Sequence, residues 1–448
     1  MFNKILIANR GEIAVRIIRA CRELGIHTVA VYSTADRESL HTYLADEAVC
    51  IGRPKATDSY LNIKRIISAA VITGATAIHP GFGFLSENPK FAKVCEESNI
   101  KLIGPSSHVI ELMGNKAMAR NTMIEAGIPV VPGTEGIITS AEEAVQKASE
   151  IGFPLIIKAA NGGGGKGMRV AYNQEEVHSM FVLAQKEAKA SFNDDGMYME
   201  KYITEPKHVE FQILADSYGQ VVHLGERDCS IQRRHQKIIE EAPSIALTKE
   251  LRKEMGETAI SVAKAIQYEN AGTVEFLLGD DGTYYFMEMN TRIQVEHPIT
   301  EMITGIDLIK EQIKIAAGRE LVMNQEEITF RGHAIECRIN AEDASKDFRP
   351  TPGTIHNLLL PSGNGIRIDG AIYNGYSIPP YYDSMLAKLI VHGKDREEAL
   401  AKMKSALTEF MVEGMVSNID FLGEILDNKE FIKGNYNTSF LEKMKEGC

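Results

Sequence analysis

The stretch Phe286-Met287-Glu288-Met289-Asn290-Thr291-Arg292-Ile293-Gln294-Val295-Glu296 constrains this chain more than any other. Read with the two-residue period of a strand, its even positions are Glu288, Asn290, Arg292, Gln294 and Glu296; its odd positions are Met287, Met289, Thr291, Ile293 and Val295. One face is almost all apolar, and the other is a row of carboxylate, amide, guanidinium, amide and carboxylate. Groups able to hold a metal, an anion and a proton in one row point to a site. The plainer alternative is the polar outer face of an antiparallel strand.

The preceding segment sharpens this reading. Thr273 to Leu278 reads as a second strand, joined to the first by Gly279-Asp280-Asp281-Gly282. A two-residue Asp281-Gly282 turn pairs Asp280 with Thr283 and Leu278 with Tyr285, and sets Glu275 opposite Glu288. The two carboxylates then share one face with Cβ atoms about 4.5–5.5 Å apart, and they repel unless something positive lies between them. With Asn290 two residues further on, the ligands are all oxygen, which suits Mg²⁺ or Mn²⁺ bridging substrate phosphates rather than Zn²⁺. A one-residue slip in register would send the carboxylates to opposite faces.

The 448 residues suggest about three domains. With 44% hydrophobic and 25% charged residues, a large core is available. The formal charge of −12 argues against nucleic acid as a partner. Cys21, Cys50, Cys95, Cys229, Cys337 and Cys448 show no Cys-x-x-Cys spacing and read as reduced thiols. The short apolar run beside Lys4 and Arg10 does not make a signal peptide, and no apolar run has the length of a membrane span, so a soluble cytoplasmic protein is expected.

Up to about residue 115, strand and helix signals alternate: strands at 4–8, 27–32, 48–51, 75–78 and 101–103, and a helix at 11–24. That pattern predicts a doubly wound parallel sheet. Asn9-Arg10-Gly11-Glu12 occupies the first strand-to-helix turn but lacks two glycines of the dinucleotide fingerprint, so a nicotinamide cofactor is not expected. His79-Pro80-Gly81-Phe82-Gly83-Phe84-Leu85-Ser86-Glu87-Asn88 is either a ligand loop at the sheet edge or a tight structural turn.

A helix from Lys116 to about Gly127 leads to Pro129 and Pro132 in a segment that resembles a domain boundary. Phe153 to Lys158 is an apolar strand ending in lysine. It feeds Asn161-Gly162-Gly163-Gly164-Gly165-Lys166-Gly167, a loop or lid whose N–H groups suit phosphates, and Met168 to Tyr172 resumes the strand. Lys166 is followed by Gly167 and no helix, so this is not a P-loop. A lysine ending a buried strand, a glycine lid and a carboxylate hairpin together describe ATP held between two sheets. Lys116 and Lys158 would face the phosphates from one side, with Glu275, Glu288 and Asn290 opposite. Met197 to Ile203 reads as an edge strand able to offer backbone groups to adenine. Arg227, Arg233, Arg234, His235 and Lys237, near Gln232, read as part of an anion pocket or as a solvated basic face. From Arg331 onward a mixed α/β unit is expected, with Glu336, Arg338 and Asn340 on one face of a strand.

Over essentially its whole length the chain resembles the ATP-grasp family of biotin-dependent carboxylases, in particular the biotin carboxylase subunits of bacterial acetyl-CoA carboxylase. The resemblance is carried by Ile7 to Ala14, His79 to Asn88, the glycine lid, Glu226 through Lys237, and Glu288 to Pro298. It implies three units: an N-terminal Rossmann-like domain at 1–115, an ATP-grasp domain at 116–330 with its lid at about 131–203, and a C-terminal domain at 331–448. It implies that Lys116, Lys158, Gly164, Gly165, Glu200, Lys201, Tyr202, Ile203, His208, Gln232 and His235 contact ATP, and that Glu275, Glu288 and Asn290 hold Mg²⁺ or Mn²⁺. Bicarbonate would meet Lys237, Arg292, Gln294 and the Val295 backbone, with Glu296 as its base, and Arg338 would face the ureido oxygen of carrier-bound biotin. Phe82 stands where the family commonly has Tyr, and Lys166 where Arg is frequent. The expected partners are a biotin carboxyl carrier protein, carboxyltransferase subunits and a second copy of the chain. Met403-Lys404-Ser405 does not match the Ala-Met-Lys-Met turn of a biotinylated lysine, so a stand-alone subunit acting on biotin carried by another protein is expected, and the resemblance implies the first half-reaction of acetyl-CoA carboxylase in fatty acid synthesis. The alternatives are the equivalent subunit of a pyruvate or other acyl-CoA carboxylase, another ATP-grasp ligase, and a nucleotide-binding regulatory protein.

Overall fold

The computed structural model describes residues 1–134, 136–160, 167–192 and 194–446. Lys4–Ile7 (β1), His27–Ser33 (β2), Glu47–Gly52 (β3), Ala77–His79 (β4) and Lys101–Leu102 (β5) form a parallel sheet in the order β3-β2-β1-β4-β5. Helices cover both faces of such a sheet, which is why Ile5, Leu6, Ile7, Val29 and Val31 are all apolar and buried. β1 leads into the helix Gly11–Glu23 (α1) at the point where strand order reverses. There the Asn9 amide donates to the Pro80 and Phe82 carbonyls at 2.8 and 2.7 Å, so the first turn holds the glycine turn after β4. Gly81 has a φ of +62°, and a Cβ there would come within 2.9 Å of the Asn9 amide nitrogen; both demand glycine.

Two of the four further sheets among the described residues frame the site. Leu155–Ala159 (β6), Arg169–Ala171 (β7) and Met197–Lys201 (β8) form a small antiparallel sheet in the order β7-β6-β8. The large sheet contains Lys207–Ala215 (β9), Val221–Arg233 (β10), Gln236–Ala242 (β11), Asn270–Leu278 (β12), Tyr284–Asn290 (β13) and His333–Asn340 (β14). It runs β13-β12-β9-β10-β11-β14, then continues through Met385–Gly393 to Ile366–Gly370. One uninterrupted eight-stranded sheet therefore carries Glu288 on β13 at its edge and Arg338 on β14. The prolines at 129 and 132 are the seam between the small and large sheets: the Phe286 N–H donates to the Pro129 carbonyl and the Lys201 N–H to the Pro132 carbonyl, each at 2.7 Å.

The hairpin corrects two details of the sequence reading while keeping its main consequence. The loop is three residues long, not two: the Gly279 N–H donates to the Thr283 carbonyl at 2.8 Å, the Gly282 N–H donates back to the Gly279 carbonyl, and Gly282 has a φ of +81°. This is a turn followed by a left-handed glycine. It pairs Leu278 with Tyr284, one residue off the expected register, and an irregularity at Met287 then restores it, so Glu275 does face Glu288. The strand expected through residue 296 stops at Asn290. Residues 291–296 turn into the helix His297–Thr304, with Glu296 at its N-cap and Pro298 in its first turn, where proline has no N–H to leave unpaired. No helix among the described residues is long and apolar enough to cross a membrane.

Candidate active site

The centre of the cleft is an ammonium held by three carboxylates. Lys237, near the start of β11, donates to Glu210 at 2.5 Å, Glu275 at 2.9 Å and Glu296 at 2.8 Å. Glu210 and Glu275 are adjacent because β9 and β12 pair them directly. Burial by itself lowers the Lys237 pKa, but the surrounding negative groups outweigh it and hold the ammonium well above its ordinary value. Glu275 is tied further. Its Oε1 accepts from Asn290 at 2.9 Å and Gln294 at 3.1 Å, and its Oε2 lies 2.9 Å from His208 Nε2. Gln232 sits 2.7 Å from His208 Nδ1, which places the imidazole proton on Nε2. Burial pushes Glu275 up, and Lys237 and His208 more than reverse this, leaving it an anion.

Glu296 has no exposed surface. Its Oε1 faces Lys237, and its Oε2 accepts from Arg338 at 3.0 Å. Burial raises its pKa, while Lys237, Arg338 and Arg227 hold it well below the carboxylate range, so it is ionised at neutral pH. Arg338 also donates to Glu240 at 2.7 Å. Glu240 is fully buried and raised to about 7, chiefly by desolvation against the pull of Arg338. Arg292 is anchored on three sides: to Glu87 at 2.9 Å, to Asn290 Oδ1 at 3.0 Å and to Gln294 Oε1 at 2.8 Å. The turn 291–296 thus converges its polar side chains by curling around one guanidinium, and not by strand alternation.

A cavity adjoins this cluster between the small sheet and β12–β13. It is lined by Lys116, Arg120, Lys158, Tyr198, Glu200, Glu288 and Asn290, with apolar walls from Leu277, Phe286 and Met289. Lys158 pairs with Glu200 at 2.5 Å, and Lys116 lies 3.6 Å from Glu288. The outer edge of β8, expected to be open, is partly used: the Met197 and Met199 carbonyls accept from Ile138 and Thr134. Tyr202 follows β8, with its N–H donated to Pro154. Gly164, Gly165 and Lys166 lie outside the described residues.

The cationic run does not form one anion pocket. Arg227 is fully buried and spends four of its five N–H donors on Glu210, Gln212, Thr300 and Thr273, so it is a core group and faces no anion pocket. Arg233 and Arg234 turn to Asp347, and Arg233 also stacks on Phe348. His235 is exposed at the β10–β11 turn, with a φ of +65°. Of that run only Lys237 enters the cluster, joined by Gln232 through His208. Glu210, Glu240, Glu87 and Arg120 are site residues that the sequence reading passed over. For Glu210 a signal existed: His208, Glu210 and Gln212 alternate with Val209, Phe211 and Ile213, the same polar row seen near Glu288.

Comparison with known proteins gives matches over almost the whole chain. Family models match in three consecutive parts: the biotin carboxylase N-terminal domain over residues 1–110, the ATP-binding domain of the carbamoyl-phosphate synthase L chain over 115–324, and the biotin carboxylase C-terminal domain over 336–443. Biotin carboxylase 1 of Bacillus subtilis is 59% identical, covering 99% of this chain and 98% of the relative. A biotin carboxylase from Campylobacter jejuni, solved as a β-γ-ATP complex, superposes with a TM-score of 0.96 at 50% identity, covering 99% of each chain. The biotin carboxylase domain of the Hydrogenobacter thermophilus 2-oxoglutarate carboxylase was solved as a dimer with MgADP, ADP and bicarbonate. It gives a TM-score of 0.94 at 52% identity, covering 99% of this chain and 98% of that one.

Proposed function

The chain belongs to the biotin carboxylase family, and on that premise we propose that it carboxylates biotin borne by a carrier protein, using ATP and bicarbonate through a carboxyphosphate intermediate. The observation that carries the reading is Glu296, a buried ionised carboxylate set between Lys237 and Arg338 and four residues from the fixed guanidinium of Arg292.

Bicarbonate enters beside Lys237, Arg292, Gln294 and the Val295 backbone, and gives its proton to Glu296. The resulting dianion is the stronger nucleophile and is already oriented. Its oxygen attacks the γ-phosphorus of ATP, the bond to the β-phosphate oxygen breaks, and ADP leaves. Lys116 and Lys158 oppose charge on the phosphates. Glu200, Lys201, Tyr202, Ile203, His208, Gln232 and His235, with the lid residues Gly164 and Gly165, complete the nucleotide contacts. Carboxyphosphate then separates into CO₂ and phosphate, the released phosphate takes the proton of the ureido N–H of biotin, and that nitrogen bonds to CO₂. Arg338 is paired with Glu296 before reaction. Once Glu296 has taken the proton that pair weakens, which releases the guanidinium to oppose negative charge on the ureido oxygen.

The donor set fits a hard divalent cation. Glu288 is part-exposed toward the cavity with Lys116 as a distant partner, and Glu275 and Asn290 supply further oxygen on the same hairpin. Mg²⁺ or Mn²⁺ held by Glu275, Glu288 and Asn290 would neutralise charge at the transferring phosphoryl group.

We assign the chain to acetyl-CoA carboxylase, the entry to fatty acid synthesis, working in the cytoplasm as a homodimer with a carrier protein and carboxyltransferase subunits. The 2-oxoglutarate carboxylase relative favours a second reading, in which a different transferase passes the carboxyl group to a keto acid such as pyruvate. The deciding experiment is ADP release by the purified chain with ATP, Mg²⁺ and bicarbonate, with and without free biotin. Biotin-stimulated release is expected. Stimulation by an amino-acid pair and not by biotin would identify another ATP-grasp ligase, and nucleotide binding without hydrolysis a regulatory protein.

A further inference from the structure

Behind the Gln294-Val295-Glu296 turn lies a buried ion pair that none of these steps uses. Lys388, in the strand Met385–Gly393, has no exposed surface, and its Nζ donates to the Val295 carbonyl at 2.8 Å. The same ammonium lies 3.2 Å from Glu12 and 3.9 Å from Asp369. Glu12 stands in the first turn of α1, within the Asn9-Arg10-Gly11-Glu12 segment for which the sequence offered no ligand. The neighbouring carbonyl, that of Gln294, is held in turn by His297 Nδ1 at 2.8 Å. In a trans peptide the C=O and N–H bonds point in opposite directions. Anchoring these two carbonyls therefore turns the Val295 and Glu296 amides away from Lys388 and His297. Glu296 is also the N-cap of the helix His297–Thr304, the end at which anions are favoured.

We propose that Lys388, braced by Glu12, is a positioning residue for bicarbonate: by fixing the Val295 carbonyl it sets the adjacent amides and the Glu296 carboxylate against the anion. A hydrocarbon side chain of the same length would fill this space without the desolvation of a charge. What lysine adds is the donor to Val295. The role rests on the bicarbonate chemistry proposed above, and it gives the N-terminal domain a second contact with the active site beside that of Glu87 on Arg292.

The test is steady-state ADP release at saturating ATP and free biotin with bicarbonate varied, and then with ATP varied, for wild type, Lys388→Met and the double variant Lys388→Met/Glu12→Gln. Burial already raises the Glu12 carboxyl to about 7 against the pull of Lys388, so in the single variant it takes up a proton and does not remain a lone buried charge. The double variant removes the pair outright and serves if the single one does not fold. The expected result is a bicarbonate KM raised about 10- to 100-fold, as for a misplaced reacting group, with the KM for ATP nearly unchanged. An unchanged bicarbonate KM, an equal rise in both KM values, or loss of folding in both variants overturns the positioning role. Absence of bicarbonate-dependent turnover in the wild type instead overturns the functional reading, and this role with it.

Discussion

At Glu296, burial and neighbouring charge act in opposite directions, and the charge wins. Two cations within hydrogen-bond distance keep a fully buried carboxylate unprotonated, and because they also lower its basicity, proton uptake depends on both partners giving way. Glu296→Gln and Arg338→Gln are accordingly expected to lower biotin-dependent ADP release by about 10²-fold or more. Thermal unfolding of Glu296→Gln should stay close to wild type, because Lys237 keeps Glu210 and Glu275 and Arg338 keeps Glu240 as partners, and near-normal turnover in either variant would refute the assigned role. At this scale the alternation of polar residues along one strand marked Glu275, Glu288 and Arg338, and the structure sets Glu275 opposite Glu288 and Arg338 beside Glu296. No such alternation marks Glu87, Glu240 or Lys388. Their partners, Arg292, Arg338 and Val295, lie far away in sequence and meet them only when the domains pack.

The carboxylate hairpin shows what local rules determine within one element. Asp281-Gly282 did mark a turn, but the side chain of Asp281 accepts from the Thr283 N–H and hydroxyl, and so stabilises a longer loop than the two-residue form. The register survived because a second irregularity, at Met287, offsets the first. Gly282 sits in the left-handed region with open space where a Cβ would lie. Gly282→Ala therefore meets backbone strain alone, and denaturant unfolding should show a loss of about 1 kcal/mol. The Mg²⁺ dependence of ADP release should be unaltered, since Glu275 still faces Glu288. A shifted metal requirement would mean that the loop, and not the Met287 irregularity, holds the register.

Across the whole molecule, the large sheet binds the carboxylate hairpin to the C-terminal unit, and Glu241 on β11 is its main knot. Its carboxylate meets His333 at 2.6 Å on β14, Arg396 at 2.7 Å at the start of the helix Arg396–Glu409, and the Tyr436 hydroxyl. Burial raises its pKa, but His333 and Arg396 outweigh this and lower it from the usual 4.5 to about 2. A depressed carboxylate stabilises the fold above its unfolded value and loses that contribution as pH falls through the folded one. Thermal unfolding of Glu241→Gln should consequently fall less steeply than wild type between about pH 4.5 and 2, and parallel curves in that window would count against the knot. The sequence by itself determined the parallel N-terminal sheet and the hairpin with Glu275 opposite Glu288, because each follows from periodicity and turn chemistry within a few residues. Tertiary structure alone decided that Arg227 is a sealed core group, that Lys237 collects three carboxylates, and that Lys388 reaches a carbonyl on a distant turn. Whether a charge serves as ligand, counter-ion or scaffold depends on which opposite charges packing brings within about 3 Å of it, and that distance is not written along the chain.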